Sequence, residues 1–236
     1  MKWKERKTGW LRHRGLTAFV LVGLLGLVLV GYNPARDYRS DSTGSGMHIT
    51  AESSELKELL NRSAGIEGLS YRAVTNYPMW SHETRVWMQG DMVKTETVVD
   101  GETLILVIDN ARGELLSYDA AQNAATVMSL GEGHVSMPES PLEYVRELDP
   151  AEWVPGETTF FDGLRCRRFT REDLGEETVM FIWEEYGLPL RVESTVDGRT
   201  TVVEFREMEV GRLSQDVFDL PAGVQVMDFW EDELPE

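Results

Sequence analysis

Residues able to do acid–base, nucleophilic or metal chemistry are thinly spread along this chain. His48, His82 and His134 stand apart, with no His-x-x-x-His spacing and no His-Glu-x-x-His pattern that would make a zinc site. There is no Gly-x-Ser-x-Gly elbow, no phosphate-binding glycine loop and no Cys–His pairing. The carboxylate pairs Glu176-Glu177 and Glu184-Glu185 lie beside turns or strand ends, where solvated charge is a plainer reading than a glycosidase pair. Cys166 is the only cysteine. It can form no internal disulfide, and a buried small hydrophobe is the expected role. The chain therefore reads as a non-enzyme, with no cofactor and no metal.

What the sequence does offer is soft, large apolar surface. Trp80, Trp87, Trp153, Trp183 and Trp230 accompany Met79, Met88, Met92, Met128 and Met180. Methionine adapts to irregular apolar ligands and tryptophan adds contact area. The candidate ligand-binding residues are Trp87, Met88, Met92, Met128, Phe181 and Trp183. A packed core uses the same residue types, so both readings stand at this point.

The elements that must position these residues are mostly strands. After a short helix with Leu56, Leu59 and Leu60 at i, i+3, i+4 spacing, the period changes from helical to two. Strands are expected at 69–76, 82–89, 92–99, 102–108, 114–118 and 124–130. After a break they resume at 157–161, 164–171, 177–184, 190–196 and 200–209. Asp100-Gly101, Asp162-Gly163 and Asp197-Gly198 are tight hairpin signals. Links this short make an antiparallel meander, because parallel strands need long crossovers. In the break, Ser140-Pro141 opens a second helix bearing Leu142, Tyr144, Val145 and Leu148. About eleven strands accumulate too much twist to stay flat. The expected fold is mainly β with a few helices, a meander curled into an unclosed half-barrel with the helices on its concave side. Two strands, Leu104–Ile108 and Val179–Trp183, are apolar on both faces. Something must cover the second face of each, be it further core or an apolar ligand.

The 236 residues carry 42% hydrophobic and 27% charged residues, an ordinary globular balance, with a formal net charge of −18. The charge is uneven. Residues 1–32 hold six Lys/Arg against Glu5 alone, leaving 17 Lys/Arg against 40 Asp/Glu beyond, a balance of −23. Such a domain repels nucleic acid. Leu16 to Tyr32 carries no charge and follows a basic stretch without a convincing cleavage site after it. A transmembrane anchor is favoured over a cleaved signal segment, with the basic end in the cytoplasm and the rest outside. The organisation is then residues 1–15 basic and cytoplasmic, 16–32 anchor or signal segment, 33–50 a flexible tether rich in Ser, Gly and Asp, 51–230 the exterior domain, and 231–236 an acidic tail.

The order of GLSYRAVT, WMQGDMVK (Trp87 to Lys94), SYDAAQNAATVMSL, YGLPLRVE and VFDLPAGVQVMDF resembles the bacterial outer-membrane lipoprotein carrier (LolA-like) superfamily, across roughly residues 50–229. The resemblance implies an unclosed β-barrel with helices in its mouth and a non-enzymatic binding role. The partner it implies is a lipid or a lipoprotein acyl chain. The alternative is a sensor or regulatory domain that binds a membrane or cell-wall protein through the same scaffold. This chain departs from the family's lipidated members in having no cysteine near the end of the apolar segment. A membrane-anchored member on the extracytoplasmic side, periplasmic or cell-surface, is the expectation.

Overall fold

The computed structural model describes residues 51–130 and 140–228. The apolar segment 16–32, the tether 33–50, the acidic tail 231–236, His48, His134 and Trp230 lie outside them. Among the described residues, no helix is long and apolar enough to cross a membrane.

Helix α1 (Ala51–Asn61) continues as a 3-10 turn to Gly65. Six strands follow: β1 (Gly68–Asn76), β2 (Ser81–Gln89), β3 (Met92–Val99), β4 (Glu102–Asp109), β5 (Glu114–Asp119) and β6 (Ala124–Ser129). Helix α2 (Pro141–Glu147) precedes β7 (Val154–Phe161), β8 (Leu164–Asp173), β9 (Glu176–Trp183), β10 (Pro189–Val196) and β11 (Arg199–Val210). The hairpin signals act as expected. Asp100 and Gly101 take φ of 52° and 85°, and Asp162-Gly163 and Asp197-Gly198 behave alike, the double positive φ that a type I′ turn requires.

All strands join one sheet in the order β12-β6-β5-β4-β3-β2-β1-β11-β10-β9-β8-β7. Its two ends do not pair, so the sheet is a half-barrel left open. Two meanders, β1–β6 and β7–β11, meet along an antiparallel seam between β1 and β11, with a bulge at Ser70/Arg72. The twelfth strand, β12 (Gln225–Asp228), exceeds the eleven that the turn signals predict and pairs with β6 in parallel. No hairpin turn announces it, because its partner lies far earlier in the chain. The long connection after β11 supplies the crossover that parallel pairing requires.

The helices mark the inner face. Leu56, Leu59 and Leu60 of α1 form one buried cluster with Trp153, Phe169, Met180, Ile182 and Val192, and Tyr144, Val145 and Leu148 pack against it. Tyr144 also meets Phe205 of β11 edge-on, at 6.0 Å between ring centroids. Gly187 lets α1 approach this closely. A Cβ there would stand 1.9 Å from the carbonyl oxygen of Leu59. The helices thus pack on the β8–β11 half.

The outer face is covered differently in its two halves. Over β3 and β4, residues 216–221 of the connection to β12 lie against Lys94, Glu96 and Ile105. The chain's own C-terminal part thus roofs a cleft over the second face of Leu104–Ile108, leaving Ile105 half-buried. Around the seam the outer face is a lattice of charge. Arg72 pairs with Glu83 at 3.1 Å and Glu207 at 2.8 Å, and the buried Glu204 sits between Arg191 and Arg206. At the far end, the hairpin of β7 and β8 reaches back to β11, where the Glu207 amide donates to the Asp162 carboxylate at 3.1 Å.

Candidate functional site

Residues paired across an antiparallel ladder share a face. The register of β2–β6 therefore sorts the candidates. Met88, Val93, Ile108, Leu115 and Met128 stand opposite one another in turn and form one row across five strands on the inner face. At about 4.8 Å per strand the row is about 19 Å long. Val93, Ile108 and Leu115 in its middle are buried, and the two methionines at its ends are half-buried. The next row mixes types: Val86, Thr95, Leu106, Ser117 and Thr126. In the row beyond, the Thr84 and Thr97 hydroxyls hydrogen-bond at 2.8 Å and Thr84 also bonds the His82 ring at 2.9 Å. The inner face of this half grades from apolar to hydroxyl-bearing, a wall with a few polar groups along one side, as small-molecule sites have.

Met88 is held in place. The Tyr71 hydroxyl donates to its sulfur at 3.7 Å and the Ser140 hydroxyl does so at 3.6 Å. Ser140 precedes α2, so the helix start is tied to the end of the apolar row. Nothing in the sequence pattern pairs residues 71, 88 and 140, because the contact exists only once β1, β2 and α2 are assembled.

Of the six candidates, Met88 and Met128 share the inner row. The other four face outward. Trp87 lies under two cations, with the Lys94 ammonium 5.2 Å and the Arg85 guanidinium 5.8 Å from its ring. Met92 alternates with the inward Val93 and is half-buried on the outer side. Phe181 stands between Arg168 and Arg191 in register, opposite in direction to Met180 and Ile182. Trp183 is buried, paired with Cys166 and edge-on to Tyr186 at 4.6 Å. The register therefore does not bring the six into one pocket.

Two open clefts lie elsewhere. One, of about 390 Å³ between α1 and β7–β8, holds three arginines and three glutamates that pair off: Arg167 with Glu55 at 2.7 Å, Arg165 with Glu184 at 3.2 Å, and Arg62 with Glu58 at 3.8 Å. These pairings neutralise what would otherwise be an anion site. The other, of about 380 Å³, lies under residues 216–221, where Lys94 pairs with Glu96 at 3.0 Å. His82 bonds Thr84 and meets the Trp80 ring, and Glu176 accepts from Ser194 at 2.6 Å. Cys166 is fully buried, its thiol bonded to the Leu164 carbonyl, and burial pushes its pKa up to about 11. Among the described residues, no three His, Cys, Asp or Glu side chains are grouped so as to hold a metal.

No protein-family model and no curated protein sequence matches this chain. Solved structures do. MucB is similar at 16% identity and a TM-score of 0.50, over 79% of this chain and 69% of that one. An uncharacterized conserved protein from Thermus thermophilus is similar at 12% identity and a TM-score of 0.47, over 74% and 99%. The Mycobacterium tuberculosis lipoprotein LppX follows at 11% identity and a TM-score of 0.44, over 66% and 93%. At such identities the likeness to MucB is one of fold, and the fold this chain shares with it is the open, helix-lined half-barrel.

Proposed function

We propose that this chain is a LolA-like, non-enzymatic binding protein of the extracytoplasmic side, held at the cell membrane by its N-terminal apolar segment. Its ligand is a lipid or a lipoprotein acyl chain laid along the inner face of β2–β6. The observation that carries this reading is the continuous row from Met88 to Met128. It crosses the half of the sheet away from the α1 cluster, has adaptable methionines at both ends, and is flanked by hydroxyls able to meet a headgroup. The test is mass spectrometry of lipid extracted from residues 47–236 purified without detergent, joined to titration with a fluorescent fatty-acid probe. Co-purifying lipid displaced by the probe supports the reading. An empty domain that never binds the probe sinks it.

A second reading has its own support. MucB shares the fold and has been solved in complex with MucA from Pseudomonas aeruginosa. On this reading the same scaffold binds a membrane or cell-wall protein, with the outward Trp87 and Phe181 available to it. A specific protein captured by a lipid-free domain would favour it over the first.

A further inference from the structure

Strands β1, β3, β5, β8 and β10 all run toward one rim of the sheet. The turns that follow them, at residues 77–80, 100–101, 120–123, 174–175 and 197–198, lie on that rim, and β7 starts there. Among the described residues, most of the exposed large apolar side chains collect on it: Met79, Trp80, Val98, Val154, Leu174 and Val196. Phe160 sits at the opposite rim, and Val226 and Met227 are on the edge strand β12.

Folding does not ask for these residues. Turn positions favour Gly, Asn and Asp. Leu174 is 79% exposed and held at φ 46°, a left-handed conformation that an ordinary side chain enters at a cost. Met79 is 93% exposed on a tip that is braced. The Tyr77 amide bonds the Trp80 carbonyl at 2.9 Å, and the two rings stack at 4.1 Å. A rigid aromatic tip carrying a free methionine is built to enter something.

The direction of α1 says what. Its Glu55 pairs with Arg167, the fourth residue of β8, and Arg62, just beyond its last turn, reaches the Glu184 carbonyl past the end of β9, farther toward the opposite rim. The N-terminal end of α1 is thus directed at the tip-bearing rim. In sequence, 18 residues (33–50) separate it from the uncharged run Leu16–Tyr32. A random coil of 18 residues has an end-to-end distance of about 21–25 Å. We infer that this rim rests on the lipid surface that the apolar run enters, with Met79, Trp80, Val98 and Leu174 in the headgroup layer. Tryptophan and tyrosine suit that layer, having one apolar and one polar end. Asp100 and Asp197, in turns of the same rim, and Asp173, at the end of β8 beside it, keep the contact shallow and select zwitterionic over anionic headgroups. The inference rests on the membrane attachment proposed above for the N-terminal segment and does not depend on the inner face being filled.

The test uses the full-length chain reconstituted into phosphatidylcholine vesicles. An environment-sensitive fluorophore is placed on one introduced cysteine at a time, since the buried Cys166 does not compete for label. The Met79→Cys, Leu174→Cys and Val196→Cys labels are expected to shift to the blue. Lipids spin-labelled near the headgroup should quench them about two-fold or more. A label at Asp91→Cys, in the β2–β3 turn on the opposite rim, is expected to emit as in water. Thermal melts establish that each labelled protein is folded. Equal quenching at all four positions, aqueous emission at the three rim positions, or a shift that appears only when a membrane protein is added would each overturn the inference.

Discussion

Gly187→Ala tests the packing that divides the inner face into a helix-covered half and an apolar wall. Two costs add. Gly187 has φ +68°, and a side chain in the left-handed region costs about 1–2 kcal/mol. The new Cβ would also lie 1.9 Å from the Leu59 carbonyl oxygen, against 3.4 Å for an ordinary contact. The α1 turn must therefore retreat by about 1.5 Å. Leu56, Leu59 and Leu60 each gain about 1.5–3 kcal/mol from burial. A gap of even 0.5–1 Å forfeits a quarter to a half of a contact, so the retreat removes about 1–4 kcal/mol across the three. The total is about 2–6 kcal/mol. Gly198→Ala is the control. It also has positive φ, 73°, but nothing lies within 4 Å of its Cβ, so it pays only the first cost. Urea denaturation of the wild type and both variants measures the difference, with equal m-values required. If the two variants lose the same stability within about 0.5 kcal/mol, the close approach of α1 at Gly187 is not what holds the helix down.

Four further outcomes are expected. Cys166→Ser should cost about 1–2 kcal/mol at neutral pH, because a hydroxyl replaces a fully buried thiol. The folded thiol titrates at about 11 rather than 9.0, so its contribution is complete below pH 9 and is lost as pH rises through 11. Wild type should lose about 2–3 kcal/mol between those values and Cys166→Ser should not, so in pH-resolved melts the gap closes and the variant becomes the more stable of the two. Glu204→Gln should lower stability by about 1–3 kcal/mol in denaturant titrations, because it leaves Arg191 and Arg206 without their shared buried carboxylate. Met128→Gln, at the half-buried end of the apolar row, should weaken fatty-acid probe binding several-fold with the melting temperature within about 2 °C of wild type. Ile108→Asn, at its buried centre, should cost about 3 kcal/mol or more whether or not a ligand binds.

The hairpins were legible because each is a local event. Asp-Gly pairs between alternating runs state both the turn and the register, and strand bounds such as 82–89 and 92–99 fall within one residue of the structure. The stripe of Leu56, Leu59 and Leu60 showed a helix with one buried side for the same reason. What stayed hidden is non-local. Nothing near residue 225 names its partner at residue 124, so β12 and its parallel pairing were not foreseen. The same holds for residues 216–221, which face Ile105 across a cleft. The candidate residues show the limit most plainly. Residue type singled out large aromatic and sulfur side chains, but the face each occupies depends on its parity along a strand. Trp87 and Met88 are adjacent in sequence and so end on opposite sides of the sheet.

The seam between β1 and β11 also has a consequence in time. Nine of the strand pairings join chain neighbours, whereas the seam brings residue 69 to residue 210. The two meanders can therefore zip locally on the scale of hairpin formation, about 1–10 μs each, while the seam must wait for a long loop to close. Folding speed is then set by a single encounter between two half-built sheets. Until it occurs, β1 and β11 are unpaired edges, each able to template on another copy of the chain. The arginine–glutamate lattice at the seam puts fixed charge on those edges, and this discourages wrong pairing before the right partner arrives.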